Sequence, residues 1–137
     1  MTTDPVPPAV QELLRQHVTS FEHLEILMLL HAHLHEDWSI DAVSGHTRIA
    51  AEMVDQVLQG LESSDLVRRA TRNRSLFRFG PRLPESMDAV EALARLYREQ
   101  RAVVMSTISI QAIERIRSAS IRAFADSFML KRSDEDG

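Results

Sequence analysis

The sequence predicts a mainly α-helical chain interrupted once by a small β-hairpin and followed by a long helical region. Three observations predict it. From Ala9 to Leu61, apolar residues recur every three or four positions, the spacing of one helix face. Between Leu66 and Phe79 the period drops to two, with Phe77 and Phe79 alternating around Arg78, as in a strand. After Pro84 the helical spacing returns and holds as far as Phe128.

Residues 1-7 are polar and proline-rich and read as a flexible arm. Pro8 suits a first helical position, where its missing N–H is no loss. Ala9, Val10, Leu13, Leu14 and Val18 then mark a short helix. Thr19-Ser20-Phe21-Glu22 has the form of a capping box, with the hydroxyl at Thr19 and the carboxylate at Glu22. Phe21, Leu24, Leu27, Met28 and Leu34 carry the next helix to about Glu36. It is apolar on more than one face, so it belongs at the centre of the core. Ser39 is a good N-cap for a short helix carrying Ile40, Val43 and Thr47, weakened by Gly45. A turn at Arg48-Ile49 leads to a longer helix, Ala51 to Ser63, with Val54, Val57, Leu58 and Leu61 on one face.

Ser63-Ser64-Asp65 ends that helix. Strands at Leu66 to Ala70 and Leu76 to Phe79 follow, joined by the polar turn Thr71 to Ser75, with Asn73 available for a left-handed position. Gly80 to Pro84 breaks the chain. Beyond it, Met87, Val90, Leu93, Ala94, Tyr97, Val104 and Ile108 form a stripe that continues through Ile113, Ile116, Ile121, Phe124 and Phe128. Arg101 interrupts this stripe. The β-branched run at Thr107 to Ile110 permits a bend, and Ser118-Ala119-Ser120 is either a break or a small-residue contact. The chain therefore divides into an arm (1-7), an N-terminal helix with the hairpin-bearing domain (8-80), a C-terminal helical region (84-132) and an acidic tail expected to be disordered (133-137).

Composition bounds the function. At 137 residues and 44% apolar, one compact domain can bury a core, and with 5% aromatic residues that core must be aliphatic. The absence of cysteine excludes a disulfide scaffold, a thiol nucleophile and a thiolate metal site. No signal core and no uncharged apolar run of membrane-spanning length is present, so a soluble cytoplasmic protein is expected. The net charge of −4 argues against a dedicated nucleic-acid binder, but the distribution argues back. Arg68, Arg69, Arg72, Arg74, Arg78 and Arg82 lie in one stretch free of acids, leaving 10 basic against 20 acidic residues elsewhere. Because Lys131 is the only lysine, the clustering carries more weight than the choice of arginine.

The order helix, short helix, turn, helix, hairpin, long helix is that of a winged helix-turn-helix. Ser39 to Arg69 resembles the helix-turn-helix of winged-helix regulators through Ile49, Val54, Leu58, Leu61 and Leu66-Val67-Arg68-Arg69. With a long helix after the wing, it resembles the MarR-like and PadR-like bacterial transcription regulators. The resemblance implies a homodimer joined by the C-terminal helices and bound to double-stranded DNA. It also implies a third helix in the major groove and wing arginines on phosphates or in the minor groove. The wing candidates are Arg68, Arg69, Arg72, Arg74 and Arg78. The groove-facing candidates are Arg48, Ala51, Glu52, Asp55, Gln56 and Gln59. Here the sequence departs from the pattern. Helix 51–63 holds Glu52, Asp55 and Glu62 and no basic residue. Gln can pair with adenine and a carboxylate can accept from cytosine N4, but two carboxylates beside phosphates are costly. A winged-helix adaptor that binds a basic protein partner instead of DNA is therefore the alternative. A sensor with a ligand pocket between wing domain and C-terminal arm is a weaker one.

His31, His33 and His35, with His23 before them and Glu36 after, form the other conspicuous group. On a helix only His31 and His35 share a face, and no third or fourth ligand is evident, so the reading is a polar helix edge without metal or cofactor. No nucleophile elbow and no phosphate-binding glycine loop occurs, and nothing points to an enzyme. The C-terminal stripe could pack back on helix 21–36 or pair two subunits. Its length favours pairing, because a small winged domain cannot cover so much apolar face.

Overall fold

The computed structural model describes the backbone of residues 5–135 and the side chains of residues 5–129. Helix α1 (Pro8–Gln16) has proline in its first turn and buries Val10, Leu13 and Leu14. It ends where Leu13 O accepts from both the His17 N–H at 2.9 Å and the Val18 N–H at 2.8 Å. Of the stretch read as an arm, residues 1–4 lie outside the described residues, and Val6 is only 4% exposed within the core. Helix α2 (Phe21–Ala32) is capped one residue later than expected. The Ser20 hydroxyl, on extended backbone, accepts from the His23 N–H at 3.2 Å. Leu24, Ile26, Leu27, Leu29 and Leu30 are all buried, which makes α2 the central helix.

Helix α2 stops at Ala32 and not near Glu36. His33 leaves helical geometry, and its N–H returns to Leu30 O at 3.2 Å. The chain must turn here so that Trp38 can pair with the hairpin. Trp38 N–H donates to Phe77 O at 2.7 Å and Phe77 N–H to Trp38 O at 2.8 Å, an antiparallel bridge.

Helix α3 (Ile40–Thr47) is capped by the Ser39 hydroxyl, which accepts from the Ala42 N–H at 3.0 Å. Gly45 is exposed and meets nothing, so its weakness is tolerated. Helix α4 (Ala51–Ser63) buries Val54, Val57, Leu58 and Leu61 and packs on α2 and α3. Asp65, at φ 63, reverses the chain.

Strands β1 (Val67–Arg69) and β2 (Phe77–Phe79) pair antiparallel, Val67 opposite Phe79 and Arg69 opposite Phe77. They are shorter than the expected segments. Asn73 does not take the left-handed position. Its side-chain oxygen instead accepts from the Ser75 N–H at 3.0 Å, which closes the turn without that backbone strain.

Helix α5 (Pro84–Glu99) buries Ala89, Val90, Leu93, Ala94 and Leu96. Gln100 (φ −141, ψ 63) separates it from α6 (Arg101–Glu135). The interruption beside Arg101 is therefore the real break. Residues 107–110 and 118–120 continue one helix, and the Thr107 hydroxyl donates back to Val103 O at 2.8 Å. The helix also runs to Glu135, into the stretch expected to be a disordered tail; residues 136–137 lie outside the described residues. One core joins α1 to α5, the hairpin and only the first turns of α6, ending at Ile108.

Candidate nucleic-acid interface

The candidate interface comprises the turn between α3 and α4, the outer face of α4, and the hairpin. Hydroxyls hold the turn. Ser44 Oγ donates to Ile49 O at 2.6 Å, while Thr47 Oγ1 donates to Val43 O at 2.8 Å and accepts from the Ile49 N–H at 3.3 Å. Arg48 sits between them in the left-handed region, at φ 64 and ψ 23, where a residue with a Cβ carries about 1 kcal/mol or more of strain.

Helix α4 turns its apolar stripe inward and exposes Ala51, Glu52, Met53, Gln56 and Gln59. Gln59 Nε2 donates to Asp55 Oδ1 at 2.8 Å, so that amide hydrogen is engaged within the helix. Gln56 is the exposed amide on this face that is not so engaged. His23, beneath α4, lies near Gly60, whose added Cβ would stand 3.7 Å from Nε2. Burial lowers the His23 pKa below 6.5, against a smaller opposing effect of Glu22.

The hairpin arginines divide into two groups. Arg69 is structural: its Nε donates to Glu62 at 3.0 Å, its Nη1 donates to Arg74 O at 2.9 Å, and its guanidinium lies 4.6 Å from the Phe77 ring centre. Arg78 donates to Asp37 at 2.8 Å and to His35 O at 3.3 Å. Arg82 pairs with Asp65 at 3.5 Å. Arg68, Arg72 and Arg74 are exposed and, among the described residues, form no ion pair. Arg68 lies across Gly80, where a Cβ would come within 2.6 Å of its Nε. Glycine there lets the guanidinium lie flat on the strand. Arg68, Arg69, Arg72 and Arg78 border a cleft of about 470 Å³ with Asp37 on its wall.

The structure thus leaves Arg68, Arg72 and Arg74 exposed on the hairpin without ion pairs and withdraws Arg69 and Arg78 into ion pairs. Sequence reasoning did not find Asp37 or the Trp38 bridge. Trp38 packs edge-on between His33 and His46, at 5.4 and 5.8 Å between ring centres. The histidines disperse, because α2 ends before His33. His31 contacts Phe79 at 5.1 Å between ring centres and lies 3.2 Å from Glu91. His35 is exposed. Among the described residues, no three potential metal ligands cluster, and no helix is long and apolar enough to cross a membrane.

These features define a winged helix-turn-helix. No family model and no curated protein matches the chain. Solved structures do. A MepR variant from a multidrug-resistant S. aureus clinical isolate is 17% identical over 86% of this chain and 86% of that one, with a TM-score of 0.50. A second S. aureus MepR variant, bound to an oligodeoxyribonucleotide, is 17% identical over 85% and 86%, with a TM-score of 0.49. MepR is a winged-helix regulator of the MarR family, so the resemblance expected from the sequence holds at the level of fold.

Proposed function

We propose that the chain is a dimeric, DNA-binding transcriptional regulator of the cytoplasm. Arg68, Arg72 and Arg74 hold phosphates at the wing, and α4 lies at the major groove with Arg48, Ala51, Gln56 and Gln59 nearest the bases. The observation that carries this reading is the free cation group on the hairpin of a winged helix: three exposed arginines on a short element, none neutralised by a neighbouring carboxylate. Phosphate contacts supply affinity and orientation, base contacts supply sequence preference, and the two tasks fall to different elements here. The role is one of binding and not of catalysis. Two subunits joined through α6 would present two wings and two α4 helices to one duplex.

The test is selection of bound duplexes from a random pool by the purified protein. Recovery of a common, two-fold-related motif supports the proposal, and no enrichment at low salt contradicts it. One observation favours a second reading. The exposed face of α4 carries Glu52 and Asp55 with Met53 and no base, which suits a basic protein partner in an adaptor that does not bind DNA. Failure to be retained on heparin or by mixed-sequence duplex would support that reading.

A further inference from the structure

Three extended segments lie side by side at the hairpin. Trp38 pairs with Phe77, and the register of β1 on β2 sets Arg68 directly opposite Arg78. Side chains alternate along a strand. Val67, Phe77 and Phe79 point into the core, so Asp37, Arg78 and Arg68 form a row across the outer face. The row is made in the structure: Arg78 Nε donates to Asp37 Oδ1 at 2.8 Å.

Like charges set directly opposite each other destabilise a strand pair. Asp37 offsets one of the two guanidiniums. Arg68 is left over, exposed and, among the described residues, without an ion pair. The fold does not move it aside either. It lies across Gly80, where a Cβ would stand 2.6 Å from its Nε and 3.1 Å from its Cζ. The row borders the cleft of about 470 Å³, which Arg72 closes from the turn. Arg69 also reaches this cleft but is held by Glu62 at 3.0 Å. Three guanidiniums thus face the cleft against one carboxylate, which leaves two positive charges. A local pairing rule broken around a cleft is characteristic of a functional site.

We propose that this cleft binds a compact dianion, the terminal phosphate of a small phosphate monoester. Its two negative charges match the two left uncompensated. Guanidinium forks meet phosphate oxygens two hydrogen bonds at a time. Arg68 and Arg78 come from neighbouring strands and Arg72 from the turn, so three forks can address the three free oxygens of a terminal phosphate. A phosphate in a duplex backbone has two free oxygens and one charge. Asp37 fixes Arg78 and opposes a polyanion running past the wall, whereas a compact ligand need not touch it. The site stands without the DNA reading. Where that reading holds, the bound ester takes Arg68 and Arg72 from the duplex, so the two ligands compete.

Methyl phosphate and dimethyl phosphate separate the two sources. At about pH 8, above the second phosphate pKa, the first is a dianion and the second, like a duplex backbone, a monoanion. Isothermal calorimetry at low ionic strength is expected to show saturable binding of methyl phosphate, and binding of dimethyl phosphate weaker by roughly tenfold or more. Arg68→Gln removes an exposed side chain without an ion pair, so its melting curve should match the parent's. It is expected to weaken methyl phosphate binding by roughly tenfold. Arg78→Gln should weaken it as much. Arg95→Gln, an exposed charge on α5, controls for net charge and should leave it within about twofold. Equal affinity for the two esters assigns the arginines to a duplex backbone and overturns the proposal. So does a failure to saturate by tens of millimolar, or a loss in Arg68→Gln no larger than in Arg95→Gln. A chain that binds methyl phosphate and enriches no duplex keeps the site and loses the DNA reading.

Discussion

The hairpin and helix α4 are chain neighbours with opposite electrostatics. The hairpin presents Arg68, Arg72 and Arg74 without ion pairs, whereas α4 presents Glu52 and Asp55 without a single base. Both elements rest on the same core, and both expose one face. The contrast matters for the proposed function, which gives the hairpin and α4 different tasks on a duplex. The wing can supply long-range attraction to a polyanion. The helix opposes it and can only gain where its carboxylates and Gln56 meet particular base edges.

The largest effect should come from removing the attraction. Arg68→Ala/Arg72→Ala/Arg74→Ala is expected to weaken binding to any duplex by roughly a hundredfold or more at low salt, without changing sequence preference. Fluorescence anisotropy on two unrelated duplexes would check it. A loss confined to one sequence would break the division of labour. Next in size, Glu52→Gln/Asp55→Asn should tighten binding by roughly five- to tenfold by removing two like charges from beside the phosphates. If a carboxylate reads a cytosine, this variant also relaxes preference at that one position, which the same assay resolves with a single-base substitution series.

Arg69→Ala separates structural from binding arginines. It loses the partly exposed Glu62 pair, the hydrogen bond to Arg74 O and the contact with the buried Phe77 ring, and should cost about 1 kcal/mol of stability or somewhat more while leaving affinity within about twofold of the parent. Urea denaturation and anisotropy on the same samples test the two halves. Arg48→Gly should act in the opposite sense: relief of the left-handed backbone should raise stability by about 0.5–1 kcal/mol, with weaker DNA binding if Arg48 reaches the duplex.

The smallest effect concerns pH. Burial holds the folded-state pKa of His23 below its ordinary 6.5, so the unfolded chain binds the proton first. The stability this residue contributes is complete above about pH 6.5 and declines as the pH falls toward the folded value. His23→Gln should flatten part of the Tm decrease between about pH 7.5 and 5.5.

Much of this comparison was legible in the sequence because it depends on local pattern. The inward stripe of α4 and the Ser39 cap follow from spacing and side-chain chemistry within a few residues, and the acid content of α4 is visible directly. What was not legible depends on partners far along the chain. Arg78 is withdrawn by Asp37, 41 residues away, and no periodicity announces that pair. The end of α2 was missed for a related reason. Leu34 continues an apolar period, but the Trp38–Phe77 bridge demands a turn first. Arg69 and Arg72 look equivalent in sequence. Only the fold sets one over Phe77 and leaves the other in solvent.

Under the proposed function, DNA affinity resides in the hairpin cations. The most direct measurement is the salt dependence of binding to a mixed-sequence duplex. With three free arginines per subunit and two subunits, the slope of log K against log salt is expected near about −5. A slope near zero, or no binding at about 50 mM salt where counterion release is strongest, would contradict it.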